Sequence, residues 1–411
     1  MLMETIIKKA CGLDVHQRII VACIMRQGIK KQIKQFGTTT KELLLLKQWL
    51  QKNSITHVAM ESTGVYWKPV FNILGDVFEL LLVNARHIKN VPGRKTDVKD
   101  CEWICRLLRA GLLCGSFIPK EDIRRLRDLT RYQKKLQHQI QNEKNRAHKL
   151  LQDTNIKLTS VLSDIFGVTG RKILDMLSKG ITQLEKLAEA FNKYISDKKE
   201  DGLEALEGKF TMHHQLILKS MLSHIDFLSH QIDELEKQVK QLIKPYQVEH
   251  KLLQTIPGVK EKAANTIIAE IGSDMEAFID EKHLVSWAGL CPGHNESAGK
   301  KKRSGLTHGN NYLKAMLIEC AWCAIRQKDT YLRAKYYSLI PRMGKKKALA
   351  AIAHKMLKAC YFILKYKLEY KDLGPEYLSR NKKEELLKYY LKRLGKLGYT
   401  ADLQPAQQEV A

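Results

Sequence analysis

The order of strand-like and helical runs in the first third of the chain constrains its fold more than any other feature. Runs rich in β-branched residues, which favour strands, lie at 6–16, 19–25, 31–36, 57–60 and 77–83. Helical patterns lie at 38–51 and 66–74, and again after residue 100. The resulting order, β-β-β-α-β-α-β-α, predicts a mixed sheet covered by helices. We therefore assign the N-terminal third to the α/β class.

Acidic side chains stand at the ends of two of these strands. Asp14 lies near the end of the first strand, and Glu61 directly follows the fourth. In a sheet of this kind, the strand ends at one edge form the crevice in which ligands bind. We expect both carboxylates to reach that crevice.

A second acidic pair, Asp97 and Asp100, precedes the helical run at 101–110. A spacing of three residues places both carboxylates on one face of a helix start. At roughly 4 Å and an effective dielectric of about 20, their repulsion is on the order of 4 kcal/mol before solvent screening. A divalent cation removes this repulsion. The alternative is a solvated pair that the helix N-terminus favours.

The joint pattern of the four acids is more specific than any one of them, since each alone could be a surface carboxylate. If they converge, they can hardly all be ionised without cations. Carboxylates around two metal ions perform phosphoryl transfer, in which one ion activates the attacking oxygen and the other stabilises the leaving oxygen.

The residues around these acids resemble a known protein family. The segments 12–16, 60–67 and 84–100 are similar to the DEDD transposases of the insertion-sequence-110 family. The resemblance implies a RuvC-like, ribonuclease H-type N-terminal domain with Mg²⁺ as cofactor. It also implies that four acids are catalytic and bind the metal, namely Asp14, Glu61, Asp97 and Asp100.

The composition indicates a polyanionic partner. The 411 residues include 70 Lys and Arg against 44 Asp and Glu, a formal net charge of +26. Because this excess is spread along the chain, it predicts a long nucleic-acid-binding surface, and the resemblance implies that the nucleic acid is DNA. No apolar segment approaches the roughly 20 residues of a membrane span, and no signal peptide is recognised. We expect a cytoplasmic, nucleoid-associated protein without membrane contact.

The nine cysteines form no paired framework. Cys320 and Cys323 have C-x-x-C spacing, but no second pair completes a zinc site. We expect both to be buried, reduced thiols in a reducing compartment.

The middle of the chain is predicted to be helical. The stretch 118–158 has no glycine and a proline only at its start, which favours one long helix. Basic residues, including Arg127 and Arg131, surround its apolar stripe. They predict either a solvated face or, as the uneven charge favours, a phosphate-contacting face.

Two apolar series with seven-residue spacing run from 218 to 242 and form the a/d seam of a coiled coil. They are Leu218, Ile225, Ile232 and Val239, and Met221, Leu228, Leu235 and Leu242. This seam can pair with the 123–150 helix of the same chain or with another chain, and both alternatives stay open. Because an enzyme that joins DNA must hold two ends, we expect a homo-oligomer, either a dimer or a tetramer.

In the C-terminal half, the stretch 252–272 resembles a helix–hairpin–helix element. A tight turn at Pro257 and Gly258 would present amides to a DNA phosphate. We therefore predict that Gly258 and Lys260 bind nucleic acid. A plain helical turn is the alternative, because Lys260 stands where such elements usually carry a second glycine.

A Gly-rich, basic loop at 286–310 presents Ser297. A phosphate diester would be held beside the Ser297 hydroxyl by Lys300, Lys301, Lys302 and Arg303. A serine is a weak nucleophile unless a base or a metal activates it, and His294, His308 or the N-terminal acids are candidates. From the residues alone, this is a DNA- or RNA-binding loop.

The segment 292–310 also resembles the second signature of the same transposase family. In that family, the corresponding serine attacks DNA and forms a covalent phosphoserine link. The resemblance therefore implies that Ser297 is the catalytic nucleophile, with Ser304 as the alternative. It covers essentially the whole chain and further implies a structured noncoding guide RNA.

We predict four domains and one main function. The domains are a RuvC-like catalytic domain at 1–117, a helical coiled-coil region at 118–246, a mostly helical transposase domain at 247–345 and a basic helical segment with a tail at 346–411. The expected function is a transposase that cuts and rejoins DNA. The alternatives are a metal-dependent endonuclease of Holliday-junction type that uses water as nucleophile, and a catalytically silent nucleic-acid scaffold.

Overall fold

The computed structural model describes residues 5–61, 64–84, 100–191, 199–293, 296–297, 300–301 and 305–401, without the side chains of 199, 296–297, 300–301 and 379–386. The chain divides into two compact units, Met1–Ile118 and Pro119–Ala411. The first unit is α/β and the second is mostly helical. The finer division of the chain into four domains stays a prediction.

The first unit is built on a five-stranded sheet with the order β3-β2-β1-β4-β5. Its strands are β1 (Lys9–Val15), β2 (Ile19–Arg26), β3 (Ile29–Gly37), β4 (His57–Glu61) and β5 (Glu79–Val83). The first three strands pair antiparallel, whereas β4 runs parallel to both β1 and β5. The prediction of a mixed sheet is confirmed.

Helices cover both faces of this sheet, so each face has its own core. They are α1 (Thr40–Lys52), α2 (Trp67–Leu74) and α3 (Asp100–Arg109). On one face, Leu13 and Met60 pack in a core with α1 and α2. On the other, Ala10 and Ala59 pack against α3. Successive strand residues point to opposite faces, which explains why neighbours such as Ala59 and Met60 belong to different cores.

The second unit contains many helices and one short β-hairpin. Its longer helices are α4 (Glu121–Asp153), α6 (Val168–Ser178), α9 (Met212–Ile243), α11 (Glu261–Ile271), α13 (Asn311–Ala324), α14 (Tyr331–Met343), α15 (Lys345–Tyr366) and α16 (Tyr377–Lys396). Its shorter helices are α5 (Leu158–Val161), α7 (Leu184–Ala188), α8 (Lys199–Glu204), α10 (Gln247–Gln254) and α12 (Glu281–Trp287). A 3-10 turn, Lys244–Tyr246, joins α9 to α10. The hairpin strands are β6 (Glu296–Ser297) and β7 (Lys300–Lys301).

The heptad seam of α9 packs against α4 of the same chain, which answers the question that the sequence left open. Leu228 and Ile232 of α9 form a cluster with Leu136 of α4. All four residues of the first heptad series are buried, whereas Met221 and Leu235 of the second are only partly buried. The seam therefore makes an intrachain helical hairpin.

The interpretation of Cys320 and Cys323 as two buried thiols is wrong for Cys323. Both lie on α13, where Cys320 is buried and Cys323 is exposed. The buried face of α13 runs through Leu313, Leu317 and Cys320, and Cys323 projects to the side of that face. A spacing of three residues on a helix does not guarantee a common environment at the edge of a packed face.

Among the described residues, no helix is both long enough and apolar enough to cross a membrane.

Candidate active site

Asp14 and Glu61 lie side by side on neighbouring parallel strands. The register of β1 and β4 pairs Gly12 with Ala59 and Leu13 with Met60, and the two acids are the next residues on their strands. Because side chains alternate along a strand, both carboxylates point away from the face of Leu13 and Met60. They therefore lie on the face that α3 covers.

The start of α3 is pressed against β1 at Gly12. A Cβ at this position would lie 2.2 Å from the carbonyl oxygen of Cys101 and 2.5 Å from the amide nitrogen of Cys105. Asp100 directly precedes Cys101, and Asp14 follows Gly12 by two residues. A hydrogen bond with Cys23, burial and nearby negative charges that include Asp14 raise the pKa of the Cys101 thiol. The first turn of α3 therefore lies near Asp14.

A buried carboxylate fastens α3 to the sheet. Glu102 is 5% exposed and accepts hydrogen bonds of 2.8 and 2.7 Å from Lys31 Nζ on β3. Arg106 Nη2 donates a third, of 2.6 Å. Burial opposes ionisation of Glu102, but these hydrogen bonds outweigh it and lower its pKa. Sequence reasoning missed this contact, because an edge-strand lysine and a helical acid separated by 71 positions carry no mutual signal.

Asp14 has a neighbour that the sequence did not single out. His16 Nε2 lies 3.1 Å from Asp14 Oδ2. The two residues flank Val15 at the end of β1. A histidine at this distance can orient a carboxylate, since a hydrogen bond fixes which oxygen faces the neighbouring groups.

The metal site predicted from the four acids stays a prediction. Asp14 and Glu61 lie on the face of the sheet that α3 covers, Asp100 begins α3, and Asp97 lies outside the described residues. Within the described part of the chain, no group of three or more His, Cys, Asp or Glu is spaced to hold a metal ion. The three described acids supply the hard oxygen donors that Mg²⁺ takes. Their donor type fits the ion, and a complete ligand set would need Asp97.

Ser297 lies in a β-hairpin that leaves the second unit between α12 and α13. At its root, Thr307 N donates to Cys291 O (2.9 Å) and Gly293 N donates to Gly305 O (2.8 Å). Farther out, Ser297 pairs with Lys300. We call the described residues of this stretch, 291–293, 296–297, 300–301 and 305–307, the serine hairpin.

Two glycines allow the chain to cross itself beneath the serine hairpin. A Cβ on Gly309 would lie 2.3 Å from the amide nitrogen of Gly289, and one on Gly289 would lie 2.8 Å from Gly309 N. Gly289 also has a φ of +73°, a backbone angle that residues with a side chain rarely adopt. Neither position therefore tolerates a side chain without displacing backbone.

The other residues predicted for this loop are only partly described. Lys300 pairs with Ser297 and Lys301 with Glu296, so the backbone places both lysines on the returning strand. Lys302, Arg303, Ser304 and His294 lie outside the described residues. His308 is exposed beyond the root. The activating base of Ser297 therefore stays open between His294, His308 and the acids.

Gly258 and Lys260 lie in the turn between α10 and α11. Gly258 has a φ of +83°, and a Cβ there would lie 2.3 Å from the carbonyl oxygen of Cys320 on α13. Close packing against α13 therefore accounts for this glycine. Lys260 is exposed. Their contact with nucleic acid stays a prediction.

Two basic residues of α4 do not belong to an open phosphate-binding face. Arg131 and Arg127 bind Glu270, a fully buried residue of α11. Arg125 and Arg146 instead pair with acids of their own helix, Glu121 and Glu143. The charges of Arg127 and Arg131 are thus directed into the protein, whereas Arg125 and Arg146 stay largely exposed.

Comparisons with known proteins identify the class of this chain. Two protein-family models match this chain. The DEDD model described as "Transposase" matches residues 11–156, and the model described as "Transposase IS116/IS110/IS902 family" matches residues 250–338. These two ranges contain the acids and the serine hairpin. The fold and the matches define a DNA transposase, and hence an enzyme that acts on DNA.

Related proteins support the same class. "Putative transposase y4qE" of Sinorhizobium fredii is 25% identical over 351 residues, which cover 82% of this chain and 73% of the relative. "Pilin gene-inverting protein" of Moraxella bovis is 22% identical over 376 residues, covering 87% of this chain and 96% of the relative. "Transposase for insertion sequence element IS1328" of Yersinia enterocolitica is 26% identical over 106 residues, which cover 26% of this chain and 31% of the relative. The chain belongs to the IS110 family of transposases.

Proposed function

We propose that this transposase cuts and rejoins DNA with two sets of groups, Mg²⁺ held by acids of the first unit and a nucleophilic Ser297 on the second. Asp14, Glu61, Asp97 and Asp100 would bind the metal. The observation that carries this proposal is the register of β1 and β4, which sets Asp14 and Glu61 side by side beneath α3. Such a pair of carboxylates on an ordered sheet is preorganised for a cation.

The mixed sheet supports a RuvC-like, ribonuclease H-type assignment of the first unit. Its inner strands carry the two acids, and a helix that begins with a third acid covers them. Bound Mg²⁺ would neutralise charge on the phosphate and on the leaving oxygen. The acids of this chain would hold that ion, and the close contact of α3 with Gly12 would bring Asp100 toward the other two.

In the covalent step, the Ser297 oxygen attacks phosphorus and forms a phosphoserine ester. The bond from phosphorus to one bridging DNA oxygen breaks, and the hydroxyl proton of Ser297 passes to a base, for which His294 and His308 are candidates. Attack by a DNA hydroxyl on the ester then restores a phosphodiester and frees the serine. Lys300 to Arg303 would hold the phosphate.

The partners follow from the same proposal. The net charge of +26 suits DNA together with a structured noncoding guide RNA, the partner that the family resemblance implies. Two DNA ends must be held for rejoining, which favours a dimer or a tetramer. The name of the Moraxella relative, a gene-inverting protein, is in keeping with recombination as the outcome.

A denaturing gel tests the serine. Wild-type protein incubated with its element DNA and Mg²⁺ should retain DNA covalently after denaturation, whereas Ser297→Ala should retain none. Ser304→Ala is the matched control and should keep the adduct. Cleavage by Ser297→Ala at the wild-type rate would instead favour the metal-dependent endonuclease with water as nucleophile.

A further inference from the structure

Glu270 is the most deeply buried charged residue among those described, with none of its surface exposed. It lies in the last turn of α11. Arg131 of α4 binds both carboxylate oxygens, with Nε to Oε1 and Nη2 to Oε2 each at 2.7 Å. Arg127 donates to the backbone carbonyls of Ala269 (3.0 Å) and Glu270 (2.6 Å). The carboxylate therefore ties α11 to α4.

Asn310 extends this network to the serine hairpin. Its Nδ2 donates to Glu270 Oε2 at 2.6 Å. Its Oδ1 accepts from Leu313 N at 3.1 Å and caps α13. Asn310 directly follows Gly309, the glycine that crosses Gly289 at the hairpin root. One side chain thus connects the returning arm of the hairpin, the start of α13 and the buried carboxylate.

A buried ionic network of this kind is weak evidence for stability, because an apolar residue of similar size often stabilises a core as well. What the network does provide is a defined orientation of the side chains that form it, because bidentate and charge-assisted hydrogen bonds hold only in a narrow geometry. The ring of Tyr312, 4.7 Å from the Arg131 guanidinium, further limits where that guanidinium can lie. The network therefore fixes where the chain at Asn310 runs.

We propose that Glu270 and Asn310 are positioning residues that fix the direction in which the serine hairpin leaves the second unit. Arg131 holds Glu270 in place, and Glu270 in turn holds Asn310. The consequence for catalysis rests on the proposed function of Ser297. The effect on the position of the hairpin does not depend on the function of Ser297. The structural effect and the catalytic effect can therefore be tested separately.

Asn310→Ser separates the two contacts of Asn310. A serine hydroxyl still caps α13 through Leu313 N, but it is too short to reach Glu270. In the full-length protein, amide hydrogen exchange at Gly293 and Thr307 reports opening of the hairpin root, because both amides donate across it. We expect their exchange to rise by about tenfold to a hundredfold, as the loss of one charge-assisted hydrogen bond allows, while α4 and α11 keep wild-type protection.

The control is Asp280→Ser, which replaces the N-cap residue of α12 with serine in the same way. The Asp280 side chain bonds His283 and takes no part in the network at Glu270. It should leave exchange at Gly293 and Thr307 unchanged. Unchanged exchange in Asn310→Ser would overturn the proposal. So would an equal rise throughout α4 and α11, because the contact would then only stabilise the unit.

A paired substitution tests the contact itself. Asn310→Asp sets a second carboxylate against Glu270, and we expect a larger rise in root exchange. Adding Glu270→Gln lets the glutamine amide donate to the new carboxylate at the cost of the bond from Arg131 Nη2, so exchange should fall below that of Asn310→Asp alone without reaching the wild-type value. A double variant no better than Asn310→Asp alone would contradict the assignment.

The catalytic consequence is measured with the same variants. Asn310→Ser should bind DNA as wild type does but form the covalent adduct at least about tenfold more slowly, because misplacement of a nucleophile lowers rate rather than affinity. Adduct formation at the wild-type rate would show that the hairpin direction does not matter for attack. If wild type forms no adduct, the proposed serine chemistry fails while the exchange result still decides the positioning role.

Discussion

The acids and the serine are held in place in two different ways. Asp14 and Glu61 are part of two inner strands of a sheet, so the register of β1 and β4 sets their spacing. Ser297 lies toward the outer end of a hairpin that is fastened at its root by Gly289, Gly309 and Asn310. Displacing the acids requires disruption of a core, whereas displacing the serine requires only a local change. The comparison teaches that one half of the proposed chemistry is rigid by construction and the other depends on a few contacts.

Substitution of Gly12 should have the largest effect. In Gly12→Ala, the new Cβ overlaps the backbone of α3 at Cys101, so α3 must move away from β1. We expect a loss of about 2–4 kcal/mol in the free energy of unfolding, together with loss of DNA cutting. Chemical denaturation measures the first and a cleavage assay the second. The control is Gly395→Ala on α16, where a Cβ meets nothing within 4 Å, and it should not destabilise the protein.

Gly309→Ala is the counterpart on the serine hairpin. Its Cβ would meet the Gly289 amide at 2.3 Å, which separates the crossing segments. We expect loss of the covalent DNA adduct with a smaller loss of stability, about 1–2 kcal/mol, because Gly309 is exposed and its segment can shift outward from the buried Gly289. If Gly309→Ala lowered stability as much as Gly12→Ala, the contrast between the two sites would be lost.

Glu102→Gln should have an intermediate effect confined to the acids. It keeps the shape of Glu102 but weakens the hydrogen bonds from Lys31, which hold α3 to β3, and the bond from Arg106 within α3. We expect the Mg²⁺ concentration needed for half-maximal DNA cutting to rise by about threefold to tenfold. This is less than the roughly tenfold to hundredfold lost with a residue that bonds a metal ligand directly, because Glu102 holds the helix that carries Asp100 and not a ligand itself. Titration of cleavage with Mg²⁺ measures this. The control is Glu234→Gln. Glu234 pairs with Lys237 on the exposed face of α9, so this change should leave the titration unchanged.

The smallest effect concerns the thiols of α13, the helix that follows the serine hairpin. Burial, followed by the neighbouring Cys323, raises the pKa of Cys320 to about 12, whereas Cys323 is exposed. At pH 8, the thiolate fraction of Cys320 should be on the order of a thousandfold below that of an ordinary thiol. Alkylation followed by peptide mass spectrometry should therefore modify Cys323 and spare Cys320, with labelling of Cys320 increasing only as the pH rises. Rapid labelling of Cys320 at pH 8 would mean that α13 is not packed against α11 and α15.

Local patterns predicted much of the fold. Alternation and β-branched residues located the five strands, and seven-residue spacing located α9. The acids at Asp14 and Glu61 were predicted because they end strands, a position that the sequence displays directly. Periodicity identifies which residues of an element are buried and thus which face it presents.

The contacts between distant elements could not be predicted in this way. Arg131 and Glu270 are 139 positions apart, and Lys31 and Glu102 are 71 apart. Each residue alone is a common charged residue on a helix or an edge strand, so its burial depends on tertiary packing that no local pattern encodes. For the same reason, the basic face predicted for α4 did not reveal that Arg127 and Arg131 turn inward.

The glycine crossing at Gly289 and Gly309 has a consequence for how such enzymes can vary. The crossing lies at the root of the hairpin. The two arms beyond it can therefore change in length without repacking of the helices that support the hairpin. A strand advances about 3.4 Å per residue, so two matched insertions, one on each arm, would extend the reach of the serine by one such step and turn it to the opposite side. Two insertions on each arm would lengthen the reach and keep its side. Recombinases of this design can therefore adjust the distance they span by whole steps, with the supporting scaffold unaltered.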